Sequence, residues 1–228
     1  LMWGAVDEGE AICTAEEEQI GNRIVISEPG TAIVCWEDKR SDGSDIDVYA
    51  MRIAGDNAIQ RTWQNEQGEA VIIMQSNQSG PRLYPDGEGG AFFVWEDERF
   101  GGFPEIDIWI QRLNVEGQRM WADEGVPVVG ATGEGVDGLY TQSGPLIRRT
   151  ADGGCVVIWQ DQRSGSIHLY SQRFNANGEA VWEDNGVALA EGYSQNALYP
   201  KVYGNIDNDG KFAVVWLDGR FSAQGTFP

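Results

Sequence analysis

Oxygen-bearing side chains at calcium-ligand spacing are the first candidates for chemistry in this chain. Asn205, Asp207 and Asp209 alternate along the sequence and precede Gly210, which is the spacing of a tight calcium loop. The bidentate acid that such a loop carries at its twelfth position is missing, because residue 216 is Trp. An ordinary Asp-Gly turn is the simpler interpretation, and Ca²⁺ is the one cofactor that the sequence suggests.

Catalytic side chains are harder to select. His168 is the only histidine, and it stands where two other copies of a repeat have Asp47 and Asp107. This position disfavours histidine-dependent nucleophilic catalysis, and a single histidine excludes a histidine-rich metal site. Asp and Glu together number 36, so a glycosidase pair of acids stays open. Since no pattern selects two of these acids, we assign no catalytic residue.

An arginine recurs four times with a tryptophan and an aspartate, in the pattern Trp-x-Asp-x-Arg. Alternate residues of a strand point to one face, and a planar guanidinium suits a fixed carboxylate. Several arginines that converge on a substrate carboxylate would instead form a sialidase-like site. Each copy contributes one set, so the repeat favours a structural brace. The twelve residues are Trp36, Asp38, Arg40, Trp95, Asp97, Arg99, Trp159, Asp161, Arg163, Trp216, Asp218 and Arg220.

Three aromatic residues are candidates for contact with a glycan. Trp109 and Tyr140 fall outside the recurring tryptophan positions, and Phe103 lies in a stretch that varies between copies. Aromatic side chains in variable loops are typical of binding faces in repeat proteins. Trp109 also has a simpler interpretation as a core substitution, because it occupies the position of Tyr49 and Tyr170.

The elements that carry these residues repeat with a period near 60. Successive motif tryptophans are 59, 64 and 57 residues apart. A second series interleaves with the first at Trp3, Trp63, Trp121 and Trp182. A period of this length indicates supersecondary units that bury their apolar faces against their neighbours. The units span approximately 3–62, 63–120, 121–181 and 182–228, the last of them incomplete, and together form one domain.

Each unit is predicted to contain four short strands, the fourth around the second tryptophan. The strand that enters the motif is apolar at consecutive positions, as in 92–95, which indicates a strand covered on both faces. Four-stranded antiparallel sheets stacked at a fixed period describe an all-β fold, the β-propeller. We expect roughly four blades, in a closed ring or in an arc of a larger one. The strand around Trp3 would complete the last blade or that of a neighbouring molecule.

The net charge of −20 makes this an acidic protein and disfavours nucleic acid and anionic membranes as partners. No stretch is long and apolar enough to predict a membrane-spanning helix. The three cysteines cannot form a closed set of disulfides, and two of them lie in apolar runs.

Three runs carry a resemblance to a known class of repeats: Gly-Gly-Ala-Phe-Phe-Val-Trp-Glu-Asp-Glu-Arg, Ile-Asp-Ile-Trp-Ile-Gln-Arg-Leu-Asn-Val-Glu-Gly and Trp-Ala-Asp-Glu-Gly-Val-Pro-Val. They resemble tandem repeats of secreted, surface-attached bacterial proteins, whose repeats are taken as β-propeller blades. The resemblance implies an extracellular or cell-surface location. It implies no activity, because that family has no shared catalytic motif.

The sequence therefore favours a non-catalytic extracellular or cell-surface module for binding, adhesion or assembly, and we expect no enzyme activity. Its partners would be a protein or a glycan at the cell surface, or other copies of the chain. The alternative is a carbohydrate-active enzyme of the sialidase or glycosidase type.

Overall fold

Antiparallel strands make up the regular structure of the chain. We describe it from a computed structural model that covers residues 10–41, 43–55, 59–101, 105–130, 141–190, 196–203 and 211–219. Within these ranges, no helix has the length and hydrophobicity needed to cross a bilayer.

The strands form four sheets in chain order. The first sheet contains β1 (Gln19–Glu28), β2 (Thr31–Asp38), β3 (Asp47–Ala54), β4 (Gln60–Arg61) and β5 (Glu69–Ile72). The second contains β6 (Gln78–Pro85), β7 (Ala91–Asp97), β8 (Asp107–Leu113) and β9 (Val126–Pro127). The third contains β10 (Gln142–Arg149), β11 (Cys155–Asp161), β12 (His168–Phe174) and β13 (Val187–Ala190). The fourth contains β14 (Ala197–Tyr203) and β15 (Ala213–Asp218).

The second strand of each complete sheet is its buried centre. All five residues from Ala91 to Trp95 are fully buried, because apolar side chains on both faces of β7 meet a neighbouring sheet. Strand β7 pairs residue by residue with β8 from Ala91–Leu113 to Asp97–Asp107. This unbroken register fixes the end of the second strand, where the Trp-x-Asp-x-Arg motif lies. The all-β fold with four-stranded antiparallel sheets, predicted from the sequence, is confirmed.

Successive sheets pack face to face. One apolar core combines side chains of the first and second sheets, another those of the second and third, and a smaller one those of the third and fourth. The first strands of neighbouring sheets, β1, β6, β10 and β14, contact one another, so they form the inner side of the stack. The fold is therefore propeller-like.

The two terminal sheets differ from the two between them. Ile24 of β1 is 59% exposed, whereas its counterparts Leu83 and Ile147 are 7% and 1% exposed. Val215 of β15 is 52% exposed, whereas its counterpart Val94 is fully buried. The described residues thus form an open stack and do not close into a ring.

The second tryptophan series lies in a different place from the one predicted. Trp63 lies between β4 and β5, and Trp121 lies between β8 and β9, so neither belongs to a strand. Each indole Nε1–H donates to a backbone carbonyl of a turn in the next sheet, Trp63 to Val115 and Trp121 to Ala176, both at 3.0 Å. The predicted position of these two tryptophans within a strand was therefore wrong, and their indole rings contact the neighbouring sheet instead.

Candidate functional site

The Trp-x-Asp-x-Arg motif forms a closed network at one end of each complete sheet. In the second sheet, Trp95 Nε1 donates to Asp97 Oδ2 at 2.7 Å. The Arg99 backbone N–H and Nε both donate to Asp97 Oδ1 at 2.9 Å, and its Nη2 donates to Oδ2 at 2.8 Å. The first and third sheets repeat the indole, backbone and guanidinium bonds to Asp38 and Asp161.

An aromatic ring of the third strand completes the network. Arg99 lies 3.6 Å from the ring centroid of Trp109, and the corresponding arginines of the first and third sheets lie over Tyr49 and Tyr170. Trp109 is therefore buried beneath an arginine, and a glycan cannot reach its ring face. Each of these arginines is paired within its own sheet, so they do not converge on a common ligand.

In the first sheet the network stabilises the ionised form of Asp38. Burial alone would raise the pKa of Asp38, but hydrogen bonds from Arg40 and Trp36 outweigh it, so that the pKa lies below its ordinary value of 3.8. A carboxylate held in this way positions its neighbours and is a poor proton donor at neutral pH.

A second set of polar residues faces the inner side of the stack. We call Glu37, Glu96 and Gln160 the inner row; each is the residue between Trp and Asp in its motif. Each side chain crosses to the first strand of the next sheet. Glu37 Oε1 accepts from the Gly80 backbone N–H, and Glu96 Oε1 from Gly144, both at 2.8 Å.

A β-bulge in each first strand provides the donors for the inner row. The register shifts after Ile20, Ser79, Ser143 and Leu198, one residue before a backbone with positive φ. Three of these residues are glycines, Gly21, Gly80 and Gly144, with φ between 61° and 64°; the fourth is Tyr199, with φ 55°. A bulge turns one backbone N–H out of the ladder, so it is free to bind the neighbouring sheet. The Tyr199 N–H donates to Gln160 Oε1 at 2.8 Å.

The two carboxyl groups of the inner row lie close together. Glu37 accepts from Gly80, and Glu96 Cδ is 3.7 Å from the Cβ position of the same residue. These two contacts limit the separation of the carboxyl groups to roughly 10 Å. Paired acids of glycoside hydrolases lie about 5 to 10 Å apart.

Burial and neighbouring charges shift the pKa of Glu96. Burial raises the pKa of Glu96, and Glu37 and Glu98 raise it further, while the Gly144 N–H and Arg82 oppose the shift. Arg82 interacts electrostatically with both Glu37 and Glu96. Burial lowers the pKa of Arg82, and the positive charge of nearby Arg23 lowers it further. The net shift favours the protonated form of Glu96, which is the form that a proton donor needs.

Asp107 is a further perturbed acid at the motif end of the second sheet. Burial raises its pKa to about 6, and the neighbouring carboxylates Asp97 and Glu105 contribute in the same direction. Asp107 lies on the third strand, outside the inner row, and accepts a long hydrogen bond of 3.4 Å from Gln142 Nε2.

The opposite end of the sheets contains a cleft of about 670 Å³ between turns of the second and third sheets. Its acids already have partners, since Asp86 pairs with Arg112 and Asp152 with Arg173. The inner row, whose acids are less engaged, is the stronger candidate for chemistry.

Several residues singled out from the sequence lie outside the described ranges. These are Asn205, Asp207 and Asp209 of the predicted calcium loop, the glycan candidates Tyr140 and Phe103, and Arg220 of the fourth motif. Among the residues that are described, no group of three or more His, Cys, Asp or Glu side chains is arranged to hold a metal ion.

Sequence reasoning missed the inner row itself. The variable residue of the motif reads Glu, Glu, Gln and Leu in the four copies, a difference that was available in the sequence. The aligned bulge positions, three glycines and one tyrosine, were equally available.

Comparison with known proteins supports the fold. No protein-family model and no curated protein matches the sequence. The structure is similar to an endo-arabinase from Bacteroides thetaiotaomicron, with a TM-score of 0.52 and 16% identity over 92% of this chain and 75% of that one. It is also similar to a thermostable family-43 glycoside hydrolase, with a TM-score of 0.51 and 8% identity over 91% of this chain and 68% of that one.

These similarities correct the functional expectation. The sequence favoured a non-catalytic module for binding, adhesion or assembly and no enzyme activity, and both predictions were wrong: the similar structures are glycoside hydrolases. The misleading inference was that a regular repeat carries only structure. The repeat accounts for the braces, but the residue between Trp and Asp places acids on the inner side.

Proposed function

We propose that this chain is a carbohydrate-active enzyme that cleaves glycosidic bonds at the inner row. The observation that carries the proposal is the placement of Glu37 and Glu96 on adjacent sheets, each fixed by a backbone N–H and both within the field of Arg82. The shared fold of two glycoside hydrolases supports it.

The two acids have different environments, which suggests different roles. Glycosidases of the common type use one protonated acid and one carboxylate. Because burial raises the pKa of Glu96, we assign it as the general acid that protonates the leaving-group oxygen. Glu37 is the second carboxylate, which activates water or attacks the anomeric carbon. Arg82 and the Gln160 amide lie beside them to position sugar hydroxyl groups.

The hydrogen bonds of the inner row make the acids rigid. Each backbone N–H engages one oxygen, Oε1, and its donor is fixed in a bulge of the next sheet. Preorganised groups of this kind need little rearrangement when charge develops on the substrate. The site would therefore depend on the packing of three successive sheets.

The predicted location, cofactor and number of blades are related to this proposal as follows. A glycan substrate fits an extracellular or cell-surface location, and Ca²⁺ would act through the predicted loop around Asp207. The exposed apolar faces of the first and fourth sheets fit an arc of a larger propeller better than a closed ring of four blades.

Release of reducing sugar from arabinan, xylan and mannan tests the proposal. We expect the unmodified chain to cleave at least one of them and Glu96→Gln to slow that cleavage by about 100-fold or more. Gln160 already makes the same bridge to a backbone N–H, so the glutamine should preserve the fold. The melting temperature checks this point.

Glu116→Gln is the matched control, because Glu116 is an exposed turn residue. It should leave the rate unchanged. A chain that cleaves none of the three polysaccharides, or a Glu96→Gln variant with the full rate, would overturn the proposal.

A further inference from the structure

Tyr199 is the residue whose conformation the fold does not explain. The corresponding residues of the other three first strands are glycines, which adopt positive φ without strain. Tyr199 has φ 55°, a conformation that is unfavourable for a bulky side chain. The bridge to Gln160 uses only its backbone N–H, which a glycine would supply equally well.

Burial does not compensate for this strained backbone. Tyr199 is 63% exposed, and among the large apolar residues of the described ranges only Ile26, at 67%, is more exposed. Leu217 and Val215 on the open face of the fourth sheet are exposed as well, so it is the strained backbone that distinguishes Tyr199 from its neighbours. Strain of this kind is found at ligand-binding positions, where the side chain acts on something other than its own protein.

The position of Tyr199 connects it to the inner row. A side chain at a bulge position lies against the inner residue of its own sheet: a Cβ at Gly144 would be 2.9 Å from Gln160 Nε2, and one at Gly80 would be 3.7 Å from Glu96 Cδ. In the fourth sheet the inner residue is Leu217, which is also exposed. Tyr199 and Leu217 therefore present an apolar surface next to the polar side chain of Gln160.

We infer that Tyr199 is a stacking platform for a sugar ring at a binding subsite beside the inner row. The inference rests on the proposed function for its class of ligand, a polysaccharide. One face of a sugar ring carries several C–H groups, and these pack against the electron-rich face of an aromatic side chain. The Gln160 amide lies where it would bind the hydroxyl groups at the edge of the same sugar.

Glu37–Gly80, Glu96–Gly144 and Gln160–Tyr199 are three hydrogen-bonded bridges between neighbouring sheets. The proposed stacking gives the third of them, Gln160–Tyr199, a role of its own. Glu37 and Glu96 are the proposed catalytic acids, whereas Gln160 and Tyr199 would only bind the sugar. A bound chain would extend from the acids across the third sheet to the fourth. Tyr199 is a binding residue here and takes no part in bond cleavage.

Binding to arabinan, xylan and mannan, measured by retardation in affinity gels with Glu96→Gln as the non-cleaving background, tests the inference. Adding Tyr199→Gly should weaken binding at least fivefold, and Tyr199→Phe should keep it within twofold. Tyr199→Asn, which lacks the ring but tolerates positive φ, should behave like the glycine variant. Asn185→Gly is the matched control, since Asn185 also has positive φ (66°) but carries no ring.

The melting temperature provides a readout that a structural role would move in the opposite direction. Tyr199→Gly should melt at the same or a higher temperature, because it relieves the strained backbone. A lower melting temperature, unchanged binding, or no binding to any of the three polysaccharides would overturn the inference. Tyr199-dependent binding without cleavage would contradict the proposed function alone. Cleavage with unchanged binding in Tyr199→Gly would contradict this inference alone.

Discussion

Two of the three bridges along the inner row differ from the third in both partners. Glu37–Gly80 and Glu96–Gly144 join an acid to a glycine, whereas Gln160–Tyr199 joins an amide to a strained tyrosine. All three share one geometry, an acceptor 2.8 Å from the N–H of a bulge residue. The shared geometry holds neighbouring sheets together in the same way at all three bridges. The side chains that differ between the bridges are therefore the ones to which we assign functional roles.

The largest predicted effect comes from giving the first two bridges the chemistry of the third. Glu37→Gln combined with Glu96→Gln should lower the rate of polysaccharide cleavage by about 1,000-fold or more, because neither acid-base nor nucleophilic chemistry remains. The melting temperature should change little, since glutamine makes the same bridge. Glu116→Gln is the comparison: it removes an acid from an exposed turn outside the inner row and should keep the full catalytic rate. A double variant that still cleaves would place the chemistry elsewhere.

A smaller effect should follow from adding a side chain to a glycine bulge. Gly144→Ala should lower the free energy of unfolding by about 2 kcal/mol, because a positive φ of 61° is strained for alanine and its Cβ would crowd Gln160. Urea unfolding measures the change.

Gly165→Ala is the control for that substitution. Gly165 also has a positive φ, 87°, but no atom lies within 4 Å of its Cβ position. Gly165→Ala should lower the free energy of unfolding by only about 1 kcal/mol, because it adds backbone strain but no steric contact. Equal costs at the two glycines would mean that the contact with Gln160 does not matter.

The smallest predicted effect is a pH dependence of stability that comes from Glu96. Burial raises the folded-state pKa of Glu96 above its ordinary 4.5, so the folded protein binds this proton more tightly than the unfolded chain. The stabilisation is therefore full below that ordinary value and is lost as the pH rises through the folded-state pKa. At pH values above the folded-state pKa of Glu96, this contribution to stability is absent and no longer changes with pH.

Glu96→Gln removes this titration. The variant should gain stability relative to the unmodified chain as the pH rises from 4 toward neutrality, measured by urea unfolding at each pH. Gln160→Ala should show no such trend, because a glutamine does not titrate. Parallel curves for the unmodified chain and Glu96→Gln would contradict the burial of the Glu96 carboxyl group.

Much of the fold could be predicted because its determinants are local. The apolar run that ends at Trp95 specifies a strand covered on both faces, and the alternation of Trp95, Asp97 and Arg99 brings their side chains together. The period near 60 then extends the same unit along the chain. These features need no knowledge of how one sheet meets the next.

The inner row depends on contacts between sheets, which local patterns do not specify. Glu96 alternates with buried residues and looks like an exposed position of a single strand. Its bond to Gly144 exists only because the next sheet brings a bulge to it. Tyr199 likewise resembles an ordinary strand residue before a proline, and only alignment with the three glycines indicates its positive φ.

The second tryptophan series places a fluorophore at each of two contacts between neighbouring sheets. Trp63 and Trp121 each bind a turn of the following sheet and pack on its glycine, Gly117 or Gly178. Each indole therefore becomes sheltered from water only after the next sheet has formed. The fluorescence of Trp63 would therefore report docking of the first sheet on the second, and that of Trp121 docking of the second on the third.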